Sequence, residues 1–227
     1  LIQSKNAWYN NRCKRSSHMQ HKPYGPYEKY FKRPLDLLCG IFVVIIFSWL
    51  YLALSILGLI FMRGNPFFTQ ARPGKNGQVF MLIKFRTMDN RKDKDGNLLP
   101  DEVRLNRYGR FLRKVSLDEI PEAFNIIKGD MSLIGPRPLL VQYLPLYSEA
   151  QMHRHDVRPG LSGYAQVNGR NSITWTHRFE LDCEYVNKIT FLGDLKIIIQ
   201  TVEKAFIKRE GISSATSDTM EDFDGTN

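Results

Sequence analysis

Cysteine is scarce in this chain of 227 residues: Cys13, Cys39 and Cys183 lie far apart, odd in number and without C-x-x-C spacing. Such a set supports neither a disulfide framework nor a structural zinc site, and a reducing compartment fits best. Glycine-rich phosphate loops are missing as well. No G-x-x-x-x-G-K-[ST] occurs, nor a G-x-G-x-x-G after a strand, so a P-loop and a dinucleotide fingerprint are both excluded. There is no internal repeat. Acidic excess is lacking too: 32 Lys and Arg face 23 Asp and Glu, a formal net charge of +9. That balance favours an anionic partner, which charge alone leaves open between a phosphorylated substrate, an acidic membrane surface and nucleic acid. With 43% hydrophobic residues the chain has enough apolar material for an ordinary packed core.

What stands out is one apolar run, "LLCGIFVVIIFSWLYLALSILGLIFM", Leu37 to Met62, with no charged residue in 26 positions. As one helix it would extend roughly 39 Å against a hydrocarbon core of about 30 Å, so a membrane-embedded segment is expected. It is too long for a signal-peptide core and no A-x-A-like site follows. Both flanks are basic, with Lys29, Lys32 and Arg33 before it and Arg63, Arg72 and Lys75 after. One crossing cannot put both flanks on the cytoplasmic side; a re-entrant hairpin bent near Ser48 and Trp49 does.

Along the rest of the chain, residues 1–31 read as a polar, tyrosine-bearing arm, residues 32–63 as the membrane segment, 64–211 as a catalytic domain and 212–227 as a loose Ser/Thr/Asp-rich tail. "VFMLIKF" between turn signals predicts a short buried strand or hairpin. "DNRKDKDGNLLPDE" is a charged loop whose Asp-x-Asp-Gly lacks the remaining ligands of a calcium site. Leu105, Tyr108, Leu112 and Val115 at helical spacing predict a basic amphipathic helix over 102–115, either a solvated face or a surface against anionic head groups. Further helices are expected over 142–155 and 192–208, with "RPGLSGYAQVNGRN" as a Gly-rich loop between them.

The chemistry centres on "KVSLDEIPEAFNIIKGDMSLIGPRPLL", where Asp118 and Glu119 sit side by side among apolar residues. Ser116-x-x-Glu119 matches a capping box, so both acids are expected to start a helix that runs to Lys128 and ends at Gly129, with Pro121 as an irregularity. A helix start also favours the ionised carboxylate needed by a nucleophile or a metal ligand. Adjacent acids cannot flank a glycosidic bond at the separation hydrolysis needs, whereas Mg²⁺ takes one or two carboxylates and completes its shell with water and phosphate oxygens. Lys84, Arg113, Arg137, Arg154 and Arg158 are the cations available for phosphate oxygens, each with a plain surface-charge alternative. His153 and His155, two apart and without a third partner, do not make a zinc site.

"KFRTM", "SLDEIPEAFNIIKGDMSLIGPRPLL", "HRHDVRPGLSGYAQVNGRN" and the apolar run before them resemble the bacterial sugar transferase family, the monotopic phosphoglycosyl transferases, from about Phe31 to the C-terminus. The likeness is closest to the small members that begin bacterial N-linked protein glycosylation. It implies a small α/β domain, mostly helical with a small sheet, held on the cytoplasmic face of the bacterial inner membrane by a re-entrant helix and amphipathic surface helices. It further implies that Asp118 attacks the β-phosphorus of a UDP-sugar, expels UMP and passes the phosphosugar to polyprenol phosphate. Glu119 would help Asp118 hold Mg²⁺; Lys84, Arg113 and Arg137, the last set between Pro136 and Pro138, would neutralise phosphates, and Asp182 would support the site. Relatives carry Ser-Pro at the helix break, where this chain has Ser48-Trp49. The implied donor is a UDP-linked diacetamido sugar such as N,N'-diacetylbacillosamine, or a UDP-HexNAc. The rival reading is a membrane-anchored module that binds anionic lipid or another polyanion without catalysis. Nucleic acid is disfavoured because no recognised binding motif or aromatic stacking platform is present.

Overall fold

The structure, a computed structural model, describes residues 21–169, 173–204 and 222–225. Among them the fold is mostly helical, with two small two-stranded sheets. The apolar run forms two helices, α1 (Lys32–Ile46) and α2 (Ser48–Met62). They break at Phe47 (φ −96°, ψ 14°), and the pair Tyr27–Ile46 and Ser48–Met62 is bent by 63°. No single described helix is long and apolar enough to cross a membrane. The bend lies directly before Ser48, and both Ser48 and Trp49 are exposed.

Proline plays no part in this break, and the helical ladder nearly survives it: Phe47 N donates to the Val43 carbonyl at 3.0 Å and Tyr51 N to the Phe47 carbonyl at 2.9 Å. The direction of each arm is set by the domain instead. On α1, buried Asp36 accepts from Ser132 Oγ (2.6 Å) and Leu133 N (3.0 Å), and Gly40 lies so close to the next helix layer that a Cβ there would stand 3.1 Å from Ile127. On α2, the Leu54 carbonyl accepts from Tyr108 Oη (2.7 Å), and Tyr51 Oη donates to the Ile120 carbonyl (2.6 Å). Two of the flanking cations are turned to internal tasks. Lys32 pairs with Asp194 at 2.7 Å, and Arg33 donates to the Ile126 and Ile127 carbonyls at 2.6 and 3.0 Å.

The expected hairpin is formed by β1 (Phe67–Pro73) and β2 (Val79–Phe85), antiparallel, with Phe67 opposite Phe85 and Pro73 opposite Val79. The helix expected over 102–115 is two: α3 (Asp101–Arg104) and α4 (Arg107–Lys114). Asn106 interrupts it because its side chain caps α4, accepting from Gly109 N at 2.9 Å. The capping box at Ser116 does not form. Ser116 adopts φ 56° with no cap bond, Leu117–Glu119 make a 3₁₀ turn, and α5 (Glu122–Lys128) begins only after Pro121. Proline at that boundary loses no intrahelical bond, so it moves the start rather than breaking the helix. Gly129, at φ 101°, ends α5 as expected.

Downstream, the helix expected over 142–155 divides into a 3₁₀ turn at Val141–Leu146, α6 (Glu149–Met152), capped by Ser148, and a 3₁₀ turn at His153–His155. The expected Gly-rich loop contains a strand and a helix. β3 (Ser132–Ile134) pairs in parallel with β4 (Gly160–Ser162), and α7 (Tyr164–Asn168) follows. Next come α8 (Trp175–Asn187), for which the sequence reading had no helix, and α9 (Phe191–Val202). Residues 205–208 of the expected last helix, like 1–20 of the arm, lie outside the described residues. Ile134, Val186, Ile189 and Ile197 make one core cluster, and Tyr143, Tyr147, Trp175 and Phe179 another. Phe223 packs into the aromatic cluster and Asp222 accepts from Tyr143 Oη at 2.9 Å, so residues 222–225 of the polar tail are tied to the domain, while 212–221 and 226–227 lie outside the described residues.

Candidate active site

The turn carrying Asp118 and Glu119 is wedged between β2, α4 and the Gly-Pro-Arg-Pro segment, and both acids are 6% exposed. Buried charges must be paired, and Glu119 is: its Oε1 receives Lys84 Nζ from β2 and Arg137 Nη2, each at 2.7 Å. Arg137, then Lys84, hold the Glu119 carboxyl down at about 2 against the opposing effect of burial. The Lys84 ammonium also reaches Glu122 Oε1 at 3.1 Å. Glu122, 2% exposed, is pushed up to about 7 by burial and by the neighbouring Glu119 charge. Sequence reasoning missed Glu122; the signal was an acid three residues after Glu119, one helical turn on, where it shares the same face.

Asp118 differs from both. Its Oδ1 is buried with no hydrogen-bond partner among the described residues. Burial and the Glu119 charge raise its carboxyl above the usual carboxylate range, while Lys84 and Arg113 act in the opposite sense. Arg113, the last arginine of α4, does not touch either acid; its Nε donates to Thr87 Oγ1 at 3.0 Å. Thr87 is itself locked by α4: a Cβ on Gly109 would stand 1.8 Å from the Thr87 carbonyl, so only glycine lets the helix lie so close.

Asp182, on α8, lies behind the acids rather than beside them. It accepts from Arg154 Nε (3.0 Å) and Nη2 (2.8 Å), and Arg154 Nη2 also donates to the Arg137 carbonyl at 2.7 Å. Asp182 therefore acts on the site through Arg154 and the Arg137 backbone. Arg154, 2% exposed, is a structural cation and not a phosphate ligand. Arg158 is likewise occupied, donating to the Gly129 carbonyl at 2.7 Å. Pro136 and Pro138 fix the Arg137 backbone from either side, and their carbonyls accept from Gly160 N (3.0 Å) and Arg72 Nη1 (3.4 Å). His153 bonds Asp156 (2.7 Å) and Asn187 (3.1 Å), and burial holds His155 neutral, down at about 3.

Among the described residues no group of three or more His, Cys, Asp or Glu is placed to hold a metal ion. The donors that fit Mg²⁺ are fewer: the Asp118 and Glu119 carboxyls, side by side on the same turn. A hard ion that draws its other ligands from phosphate and water needs only one or two such carboxylates.

Comparison with known proteins is concordant. The family described as bacterial sugar transferase matches residues 27–208. The chain is 51% identical to an uncharacterized sugar transferase, EpsL, of Bacillus subtilis over 84% of this chain and 91% of that protein. It is 34% identical to the exopolysaccharide production protein ExoY of Rhizobium meliloti over 78% of this chain and 86% of that one. An undecaprenyl-phosphate galactose phosphotransferase of Salmonella typhimurium is 34% identical over 89% of this chain, which spans 43% of that longer protein.

Proposed function

The chain belongs to the bacterial sugar transferase family, and from that membership and the site geometry we propose that it transfers a phosphosugar from a UDP-sugar to polyprenol phosphate, giving a polyprenyl-diphosphate-sugar and UMP. Relatives named for transfer of galactose, glucose and N-acetylgalactosamine phosphates to undecaprenyl phosphate support the general reaction. Those names, which include UDP-glucose and UDP-N-acetylgalactosamine, weigh toward a UDP-hexose or UDP-HexNAc donor rather than UDP-N,N'-diacetylbacillosamine.

The observation that carries the reading is a buried Asp118 oxygen left without a partner beside a Glu119 neutralised by two cations. Asp118 Oδ1 forms a bond to the β-phosphorus of the donor; the bond from that phosphorus to the oxygen bridging the phosphates breaks, and UMP departs with the electron pair. A phosphate oxygen of the polyprenol phosphate then attacks the same phosphorus, and the Asp118 carboxylate leaves. The two half-reactions make the mechanism ping-pong. Lys84 and Arg137 hold Glu119 and present positive charge where negative charge accumulates on the pyrophosphate, and Arg113, fixed by Thr87, adds a third. Mg²⁺, held by Asp118 and Glu119, would supply further charge neutralisation.

Membrane attachment belongs to the same proposal. The 63° bend and the exposed apolar surfaces of α1 and α2, Leu38, Phe42, Ile45, Trp49 and Leu52 among them, support a re-entrant hairpin on the cytoplasmic face of the inner membrane. The test is UMP release from a panel of UDP-sugars with Mg²⁺ and polyprenol phosphate, with Asp118→Asn and a chelator control. Metal-dependent UMP from a donor, absent in the variant, is expected. Undiminished UMP from Asp118→Asn would overturn the mechanism, and no UMP with any donor would favour the non-catalytic polyanion-binding module.

A further inference from the structure

A cavity of about 290 Å³ lies between α1, α5, the β3–β4 pair and α9. Its wall is nearly all apolar, built from Val43, Ala123, Ile126, Ile198 and Val202, yet it also includes Glu119. Several of its polar groups are engaged elsewhere rather than turned into the space, while the buried Gln166 Oε1 has no partner among the described residues. Ser162 Oγ and Thr201 Oγ1 bond at 2.7 Å, and the Lys204 ammonium is held by the Val167 carbonyl. An apolar space bordered at one end by the acid-bearing turn does not suit a sugar or a nucleotide, both of which need many polar partners.

The surfaces that flank the cavity are apolar too. On the α1 side Phe42 and Ile46 are 62% and 48% exposed, and on the α9 side Leu195, Ile199 and Val202 are 41%, 58% and 50% exposed. Val202, which lines the cavity, also stands in this exposed apolar surface, and the cavity borders the acid-bearing turn at Ser116 and Glu119. Gly40 makes this layout possible, because it brings α1 against α5 without filling the gap between them.

We propose that this cavity receives the isoprenyl units nearest the phosphate of the lipid acceptor, so that the chain lies between α1 and α9 while its phosphate reaches Asp118. The inference rests on the phosphosugar-transfer reading above. Because only the acceptor's apolar chain uses the cavity, filling it impairs the second half-reaction and spares the first.

The experiment uses the full chain in lipid nanodiscs with Val43→Phe and Ile198→Phe, which fill the cavity from opposite walls. Two rates are measured: exchange of labelled UMP into the UDP-sugar, which needs no acceptor, and transfer to polyprenol phosphates of different chain length. The expected result is exchange within about twofold of the unaltered protein, with KM for the long acceptor raised roughly tenfold or more in at least one variant, as lost burial of an isoprenyl unit requires. Unchanged acceptor KM and chain-length preference in both variants would overturn the proposal. A diazirine-bearing isoprenyl phosphate supplies an independent reading with the unaltered protein. Labelling of peptides from α1, α5 or α9 that unlabelled polyprenol phosphate suppresses supports it; labelling suppressed equally by phosphatidylglycerol assigns the cavity to bulk lipid and overturns it, as does labelling confined to residues 205–221 that leaves those helices untouched. Absence of UMP exchange in the unaltered protein sinks the transfer reading itself, a separate failure.

Discussion

Arg154 and Asp182 form a closed ion pair, with side chains 1% and 3% exposed and both Nε and Nη2 of the guanidinium on Asp182 Oδ2. The same Nη2 holds the Arg137 carbonyl at 2.7 Å. A buried pair of this kind orients the strand of chain that carries the site arginine, and removal of one partner strands the other in a medium that solvates it poorly. Asp182→Ala is expected to cost about 3–5 kcal/mol in stability, measured by denaturant unfolding. The paired change Asp182→Leu with Arg154→Met recovers much of that stability while activity stays low, because the Arg137 carbonyl still lacks its donor. Recovery of full activity in the pair would show that Arg137 is placed without it.

Asp118→Asn keeps the shape of the turn and removes the proposed nucleophile. UMP exchange into the UDP-sugar should fall by roughly a thousandfold or more, with the melting temperature equal to or above that of the unaltered protein. The second expectation follows from the burial of Asp118 and its unpartnered Oδ1, since a neutral amide is easier to bury than a carboxylate. A variant that exchanges UMP normally would exclude Asp118 as the attacking group.

The acid pair Glu119 and Glu122 gives stability a definite pH dependence. Glu122 titrates at about 7 in the fold against 4.5 when unfolded, so its contribution is complete below about 4.5 and is lost as pH rises through 7. Glu119 is held at about 2, so its contribution is present above 4.5 and is lost as pH falls toward 2. Glu122→Gln keeps an oxygen for Lys84 and removes the titration. Thermal unfolding of this variant should flatten between pH 4.5 and 7 relative to the unaltered protein, while the loss on the acid side, which belongs to Glu119, persists. Parallel curves across that neutral window would contradict the assignment.

Gly109→Ala places a methyl 1.8 Å from the Thr87 carbonyl, a distance that the backbone must yield to relieve. Overpacking of this sort costs about 1–3 kcal/mol. Thr87 also carries the contact that aims Arg113, so kcat should drop along with stability. Gly64→Ala, where a Cβ meets nothing within 4 Å, is the comparison that should leave both unchanged.

Much of the molecule was legible because local chemistry decided it. Turn residues at Pro73-Gly74 and Asn76-Gly77 form the bend between the two strands of the hairpin, and Gly129 ends α5. The acids could be named from their motif, but their setting could not: the capping box at Ser116 gave way to a 3₁₀ turn, because Pro121 suits the start of a helix better than its interior. α8 escaped notice for a different reason. Trp175, Phe179, Leu181, Asp182, Cys183, Tyr185 and Val186 are all buried, so the helix is covered on several sides and carries only a weak amphipathic stripe. Glu122 and Arg154 were overlooked or misplaced because a charge that is buried and paired reads in sequence like one on the surface.

By itself the sequence determined the acid-bearing motif and the presence of a long apolar segment, since motif identity and hydrophobic length are properties of the chain read in order. Tertiary structure decided which cations meet which acids, and it left Asp118 as the acid whose Oδ1 has no partner. It also decided where the apolar segment bends, because Asp36, Gly40, Tyr51 and Tyr108 anchor α1 and α2 to different parts of the domain. Those outcomes depend on contacts between residues up to 97 positions apart, and burial changes the strength of every charge involved.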